Sequence, residues 1–586
     1  MKNVKNLFGM AVMATALVGC SSNDNLNPNA NDNAGKAGEA YASFKINLPT
    51  VSGTRAVDPN TDTEFDGGTA AEYEVKNGTI LIFDASTDKF VTSADLGNMN
   101  PWTADTDDNG VTTAAIATVK LTGVSTTGSY KALVLLNNNT GTADQKVSLP
   151  ADTEMTYAKW SKTATNAKAD KYLSTDGIFM ANAPEYSATS DPKTLVPVAH
   201  VCASREQAEA MGATTVYVER GLAKVTMEKF NTAGYTVADG TYKDATVKIE
   251  KWKLDVTNKS TFPVHQIGDL STDFTTIWST PRFYDNQSSS SFHRVYWGID
   301  PNYSDNTLYN GKTDPAPAKT ALELCNDAFN MITNAQVNGE AGQDKPQYCL
   351  ENTFNLDNMK QGQTTRVVFK AQFIPDGSTA AETFYKIGNN TAVWKKADLE
   401  KQIKTVALTL MGITDAAEQH KYGVDLSKGT DISGKAGQHL IAKDNITFDN
   451  GTATPVTTSQ VTDEIVDKIN KKLGLSEADP TTHKEKVGIS TYLNGEAYYI
   501  ARIKHFNALT PWNPGEAYES HNDKYLGRYG VLRNNWYELS VNKVSGLGYP
   551  EVPEVKPNIP DDENDQYINV EVKILDWAKR SQSIDL

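Results

Sequence analysis

The sequence predicts a mainly β protein made of two β-sandwich domains, with a few short helices and a C-terminal strand arm. Three observations carry this. Short runs rich in Val, Ile, Tyr and Thr recur along the chain, and apolar residues alternate with polar ones within them. Clusters of Gly, Asn and Asp separate the runs. Stretches with helical periodicity are few.

The chain opens on a basic, then apolar, then small-residue pattern. Lys2 and Lys5 precede an apolar run from Leu7 to Val18, and Leu17-Val-Gly-Cys20 follows as a lipobox. The apolar run is too short to span a bilayer as a helix and reads as a secretion signal, residues 1–20, ending at an acylated Cys20. Residues 21–39 are Asn-, Asp- and Gly-rich and form a tether. Next, Ala42, Phe44, Ile46 and Leu48 alternate with Ser43, Lys45 and Asn47, which is the period of a half-buried strand. Arg55 follows in a Ser/Gly/Asp/Pro loop, with no other arginine before Arg205. Residues 21–55 thus read as a propeptide carrying a removable strand, cut between Arg55 and Ala56.

Strand-like runs starting at Gly78, Ala114, Tyr130 and Thr214 build a first domain, residues 56–235. Runs from Ala245, Thr364, Glu496 and Asn535 build a second, residues 236–548. Two helices are expected. One runs from Val461, capped by Thr462, with Ile465, Ile469 and Leu473 on one face and Gly474 at its end; the other lies in the stretch from Pro317. Residues 549–566 are Pro-rich and acidic, which favours an extended linker without a core. Residues 567–586 then carry Ile568, Val570, Val572 and Ile574 in alternation, with Trp577 beyond.

The two chain ends are therefore matched parts. Loss of the first strand after a cut at Arg55 would bare ladder groups and apolar pockets, and such an edge takes up another strand. The tail of a second copy supplies four branched apolar side chains. A head-to-tail contact of this kind propagates instead of closing.

The formal net charge is −16, which argues against nucleic acid or anionic membrane as the main partner. Cys325 and Cys349 either pair, worth roughly 3–4 kcal/mol by loop closure, or stay as buried thiols with Cys202. The loop Asp105–Gly110 begins like a calcium loop, but Ile116 stands where the bidentate Glu belongs, so it reads as a polar turn. Asp300–Asn306 reads as an Asx-type turn with oxygen ligands to spare. The eight histidines make no metal-binding spacing, and His505 is expected to face a neighbouring strand or solvent. No metal, cofactor or catalytic group is expected, and the chain does not read as an enzyme. The aromatic stretch from Trp512 reads as an inter-strand crossover, with glycan or host-protein contact as the other reading.

Together these segments resemble the fimbrillins of Bacteroidales-type (type V) fimbriae, and look most similar to the shaft subunit of the minor (short) fimbrium. The likeness is carried by the lipobox, by Thr54-Arg55-Ala56, and by YKALVLLN from Tyr130 and VERGLAKV from Val218. It continues in YWGIDPNY from Tyr296, YCLENTF from Tyr348, YYIARIKHF from Tyr498, GVLRNNWYELSV from Gly530 and VEVKILDW from Val570. The resemblance implies two transthyretin-like sandwich domains. It implies lipidation of Cys20, delivery to the outer membrane, and cleavage by an arginine-specific protease. It further implies head-to-tail polymerisation with anchor and tip subunits into a surface fimbrium that supports adhesion and biofilm formation, with residues 567–586 as donor strand. The alternative is a tip adhesin or a surface lipoprotein that captures glycans or host proteins without polymerising.

Overall fold

The computed structural model describes residues 38–49, 68–97, 103–104, 111–166, 169–174, 177–187, 190–268, 293–295, 297–314, 317–339, 345–388, 390–451, 460–479, 486–505, 526–561, 572–576 and 579–582. Cys20, Arg55, Ala56, Ile568, Val570, Trp577, the Asp105–Gly110 loop and the stretch from Trp512 lie outside the described residues. Among the described residues no helix is long and apolar enough to cross a membrane.

The first unit is assembled from β1 (Glu39–Pro49), a helical turn α1 (Ala70–Tyr73), β2 (Gly78–Asp84), β3 (Phe90–Asp95), β4 (Thr103–Ala104), β5 (Val111–Thr122), β6 (Tyr130–Leu136) and β7 (Met180–Asn182). Helix α2 (Arg205–Met211) and β8 (Thr214–Arg220) complete it. Its strand order is β3-β2-β6-β7-β8-β1-β5-β4. β8 bridges the two halves: Thr214–Tyr217 run parallel to β1, and Val218–Arg220 pair with β7. Period-two alternation decides the packing. Ile80 and Ile82 of β2 face β1 and β5, while Leu81 and Phe83 point the other way, towards Trp160, Tyr172 and Phe179.

The chain crosses to the second unit at Gly221, whose bare α-carbon lies so close to Phe179 that a Cβ would come within 2.9 Å of its ring. β9 (Ala223–Met227) therefore belongs to the second unit, ahead of the boundary expected at residue 235. The second unit adds β10 (Thr246–Asp255), α3 (Ala321–Ala328), β11 (Gln347–Cys349), β12 (Arg366–Ile374), α4 (Lys396–Met411), α5 (Asp463–Lys472), β13 (Glu496–Arg502) and β14 (Asn535–Leu539). One sheet pairs β10 with β12 and β12 with β13; the facing sheet pairs β11 with β9 and β9 with β14. Val225, Trp252, Phe369, Tyr499, Tyr537 and Leu539 fill the space between them.

The span expected as one sandwich holds more than a sandwich. Between neighbouring strands β12 and β13, the chain builds a separate module with its own core of Leu399, Ile403, Ile446 and Ile469, drawn from α4, α5 and short strands. Thr462 caps α5 by accepting from the Ile465 amide at 3.3 Å, as its sequence predicts. Thr320 and Glu323 form a capping box at α3.

The Pro-rich segment is not a free spacer up to residue 566. Residues 549–561 are strapped along the second unit. Tyr549 exchanges backbone hydrogen bonds with Tyr498, each 2.8 Å. Arg366 donates to the Pro553 carbonyl at 2.6 Å, and the Ile559 carbonyl accepts from Gln361 at 2.9 Å. Val555 is buried, and Asp561, fully buried, accepts from the Thr364 hydroxyl at 3.2 Å. A segment without a core of its own is thus held by backbone groups and one arginine of the unit it lies on.

Candidate functional site

The site that matters is the bed of β1. Its partner on one side is β5, antiparallel, in continuous register from Glu39↔Thr122 to Leu48↔Thr113, with an irregularity between Leu48 and Pro49. On the other side it meets β8, parallel, from Phe44 to Asn47. Further towards its start, Tyr41 and Cys202 exchange two backbone hydrogen bonds of 2.8 Å. The strand is interior to its sheet, not an edge.

Ala42, Phe44, Ile46 and Leu48 all have no exposure, and Ala40 joins them as a fifth inward residue that alternation in the sequence also marks. They pack on Ile80, Ile82, Val119, Leu121, Val134, Val216 and Val218. The outward face is partly covered: Ser43 and Asn47 are buried, while Tyr41 and Lys45 are half-buried. α2 packs over β1 and β5. Ser43 is 5% exposed and Asn47 4%, so residues whose polarity reads as solvent-facing are covered. Ser43 meets the Thr118 hydroxyl at 2.7 Å. Glu39 pairs with Lys120 at 2.8 Å, and its hydrogen bond holds the exposed ammonium above its ordinary pKa.

What remains of the first unit beyond residue 67 is tied to the second independently of β1. Glu72, on α1, is buried and would have its carboxyl raised by that burial. Hydrogen bonds from Lys224 and Tyr348 outweigh the burial and hold it below the ordinary carboxylate range. The distances are 2.7 Å to Lys224 and 2.6 Å to Tyr348. Arg220 donates to the Glu72 carbonyl at 2.8 Å, and the Lys224 ammonium sits 3.5 Å from the centre of the Trp536 ring. A second bridge joins Glu219 of β8 to His265 at 2.9 Å, with the other ring nitrogen 2.9 Å from the Trp297 carbonyl.

The tail rests on its own subunit. β15 (Val572–Asp576) and β16 (Lys579–Gln582) form a hairpin, and β16 runs parallel to β14, from Trp536↔Lys579 to Leu539↔Gln582. Val572 and Ile574 of the expected donor strand lie on β15.

The remaining candidates resolve as structural. Cys325 and Cys349 are free thiols: Cys325 donates to the Leu308 carbonyl at 3.1 Å, while Cys349 sits on β11 in a different apolar cluster, so the pairing expected as one alternative is not formed. Burial pushes both thiols up to about 12. Asp300 does make an Asx turn, accepting from the Asn302 amide at 2.6 Å, and its other oxygen accepts from Thr353 at 2.6 Å. Burial raises that carboxyl to about 7. His505 does not reach solvent; it is buried against Trp297 and lies 2.8 Å from the Tyr537 hydroxyl. Among the described residues no group of His, Cys, Asp and Glu is placed to hold a metal ion.

No curated protein matches the sequence. Two solved structures are similar to it at low level. One is a protein of Parabacteroides distasonis assigned to cell adhesion, 10% identical, covering 58% of this chain and 77% of that one, with a TM-score of 0.29. The other is a fimbrial assembly protein of the same organism, 14% identical, covering 38% and 66%, with a TM-score of 0.20. Residues 490–583 match the family described as major fimbrial subunit protein type IV, fimbrillin, C-terminal. That match runs through β13 and β14, along the strap and into the tail hairpin, so this part of the chain is similar to the C-terminal part of the fimbrillins.

Proposed function

We propose that the chain is a shaft subunit of a fimbrium, exported as a lipoprotein precursor through Cys20, cut between Arg55 and Ala56, and polymerised by exchange of β1 for the tail strand of another copy. One observation carries this reading: the strand just ahead of the lone Arg55 is interior to its sheet and fills five apolar positions completely. A removable interior strand has one physical use, to keep a groove filled until another strand replaces it. Each large apolar side chain in it contributes roughly 1.5–3 kcal/mol, so a replacement must bring comparable side chains at alternate positions. Ile568, Val570, Val572 and Ile574 have that spacing. The proposed partners are further copies, anchor and tip subunits, an arginine-specific protease, and surface ligands of host or bacterial cells. No catalytic role is proposed.

The test is N-terminal sequencing of the protein taken from the cell surface. A start at Ala56 in SDS-resistant multimers supports the reading. A chain still beginning at acylated Cys20 would retain β1 and remove it.

A further inference from the structure

The groove is regulated by more than the cut. Resting on the strand-exchange reading above, we infer that β1 stays bound after cleavage at Arg55, as a non-covalent plug, and leaves only when an incoming strand displaces it from the Leu48 end.

Three features support retention. β1 is hydrogen-bonded on both sides, to β5 along its length and to β8 and Cys202 on the other. Its inner face is fully covered by the sheet opposite, and α2 packs on part of its outer face, where Ser43 and Asn47 are buried. Among the described residues, none of these contacts depends on the peptide bond after Arg55. Unaided departure would expose five apolar pockets and the ladder groups of two strands at once, and unpaired buried backbone is costly. A strand that enters as the old one leaves replaces each lost pair in turn and never exposes the whole bed.

The two ends of β1 are not equivalent. At its start, the Gly38 carbonyl accepts from Gly123 at 2.8 Å, Glu39 is paired with Lys120, and Tyr41 is bridged to Cys202. At its end, pairing with β8 stops at Asn47 and the register with β5 slips between Leu48 and Pro49, a residue with no amide to donate. The loose end is the one nearest the cut, so displacement begins in the Leu48 pocket and finishes under Tyr41.

The kinetic order of strand release tests this. The full-length precursor is cut with an arginine-specific protease until the new N-terminus reads Ala56. Release of the fragment containing β1 is then followed by gel filtration and mass spectrometry over a range of protein concentrations. Displacement predicts that the fragment co-elutes with the body at high dilution, and that tenfold more protein speeds release about tenfold, since the donor is another copy. A synthetic peptide of residues 565–582 should speed it likewise. Prompt loss of the fragment, at a rate independent of protein and peptide, would overturn the plug while leaving strand exchange standing. A fragment that stays bound at every protein and peptide concentration would overturn displacement and remove the exchange reading with it.

Discussion

Glu219 and His265 meet at 2.9 Å across the junction of the two units, and both are buried. Both ring nitrogens of His265 face acceptors, the Glu219 carboxylate and the Trp297 carbonyl, so the doubly protonated ring satisfies both. Burial lowers its pKa, but the charge and hydrogen bond of Glu219, helped by Glu351 and opposed by Arg533, win and raise it above its ordinary value. A raised folded value means that the stabilisation is complete below about pH 6.5 and is lost as pH rises through the folded value. Thermal unfolding should therefore show a stability decline as pH rises above about 6.5 that is absent in His265→Gln. At neutral pH that variant leaves Glu219 buried without a cation and should lose about 3–5 kcal/mol. A variant with wild-type stability and an unchanged pH profile would show that the pair is not charged.

Phe44 is the largest of the inward-facing side chains of β1 and is fully buried. Phe44→Ala should cost the precursor about 3–5 kcal/mol in denaturant unfolding. On the strand-exchange proposal the assembled fibre has discarded β1, and it should unfold as the wild type does. Equal destabilisation of both would mean that β1 remains in the mature subunit.

The tail carries the opposite expectation. Deleting residues 567–586, or substituting Val572→Asp, should leave a folded and cleavable precursor. Electron microscopy should then show no long fibres, because the donor is missing or brings a charge into an apolar pocket. Normal fibres from the deletion would place the donor elsewhere in the chain.

Arg366 is 2.7 Å from Asp255 and 2.6 Å from the Pro553 carbonyl, with both charged groups buried. Arg366→Ala should cost about 3–5 kcal/mol by stranding the Asp255 charge. It should also release the strap, read as faster proteolysis within residues 549–561. Unchanged proteolysis would show that Tyr549, Ile559 and Asp561 hold the strap without it.

Much of this was legible where the signal is local. The alternation in β1 and the continuous apolar runs of β2 and β6 gave strands, Thr462 gave the cap of α5, and the four inward residues of β1 are all buried. Ala40, at the edge of the Asn/Asp/Gly-rich tether, continues the same inward face. Helix α4 went unread although Leu399, Ile403 and Ala407 share a face and Gly412 ends it at a φ of 71°. Its start is Lys395, which offers no side-chain cap. What the sequence hides is contact between distant segments. Ser43 and Asn47 look solvent-facing but are buried in the folded unit, Ser43 against Thr118. The Pro-rich segment looks free until Arg366 and Gln361 reach it. β9 looks like the end of the first domain until β11 and β14 pair with it.

The strap also sets the mechanics of any assembly built through the tail. With Asp561 pinned beneath Thr364, only the residues from Asp562 to Tyr567 separate the last anchor from the donor strand. Fully extended, they reach at most roughly 20 Å. A neighbour must present its groove within that radius, so spacing along a fibre is dictated by the body of each subunit and not by a slack tether. Tension on the tail passes into the strap and through Arg366 into β12, a central strand of its sheet. On the strand-exchange proposal, such a filament should resist stretching and give way by peeling the strap before it unravels a domain.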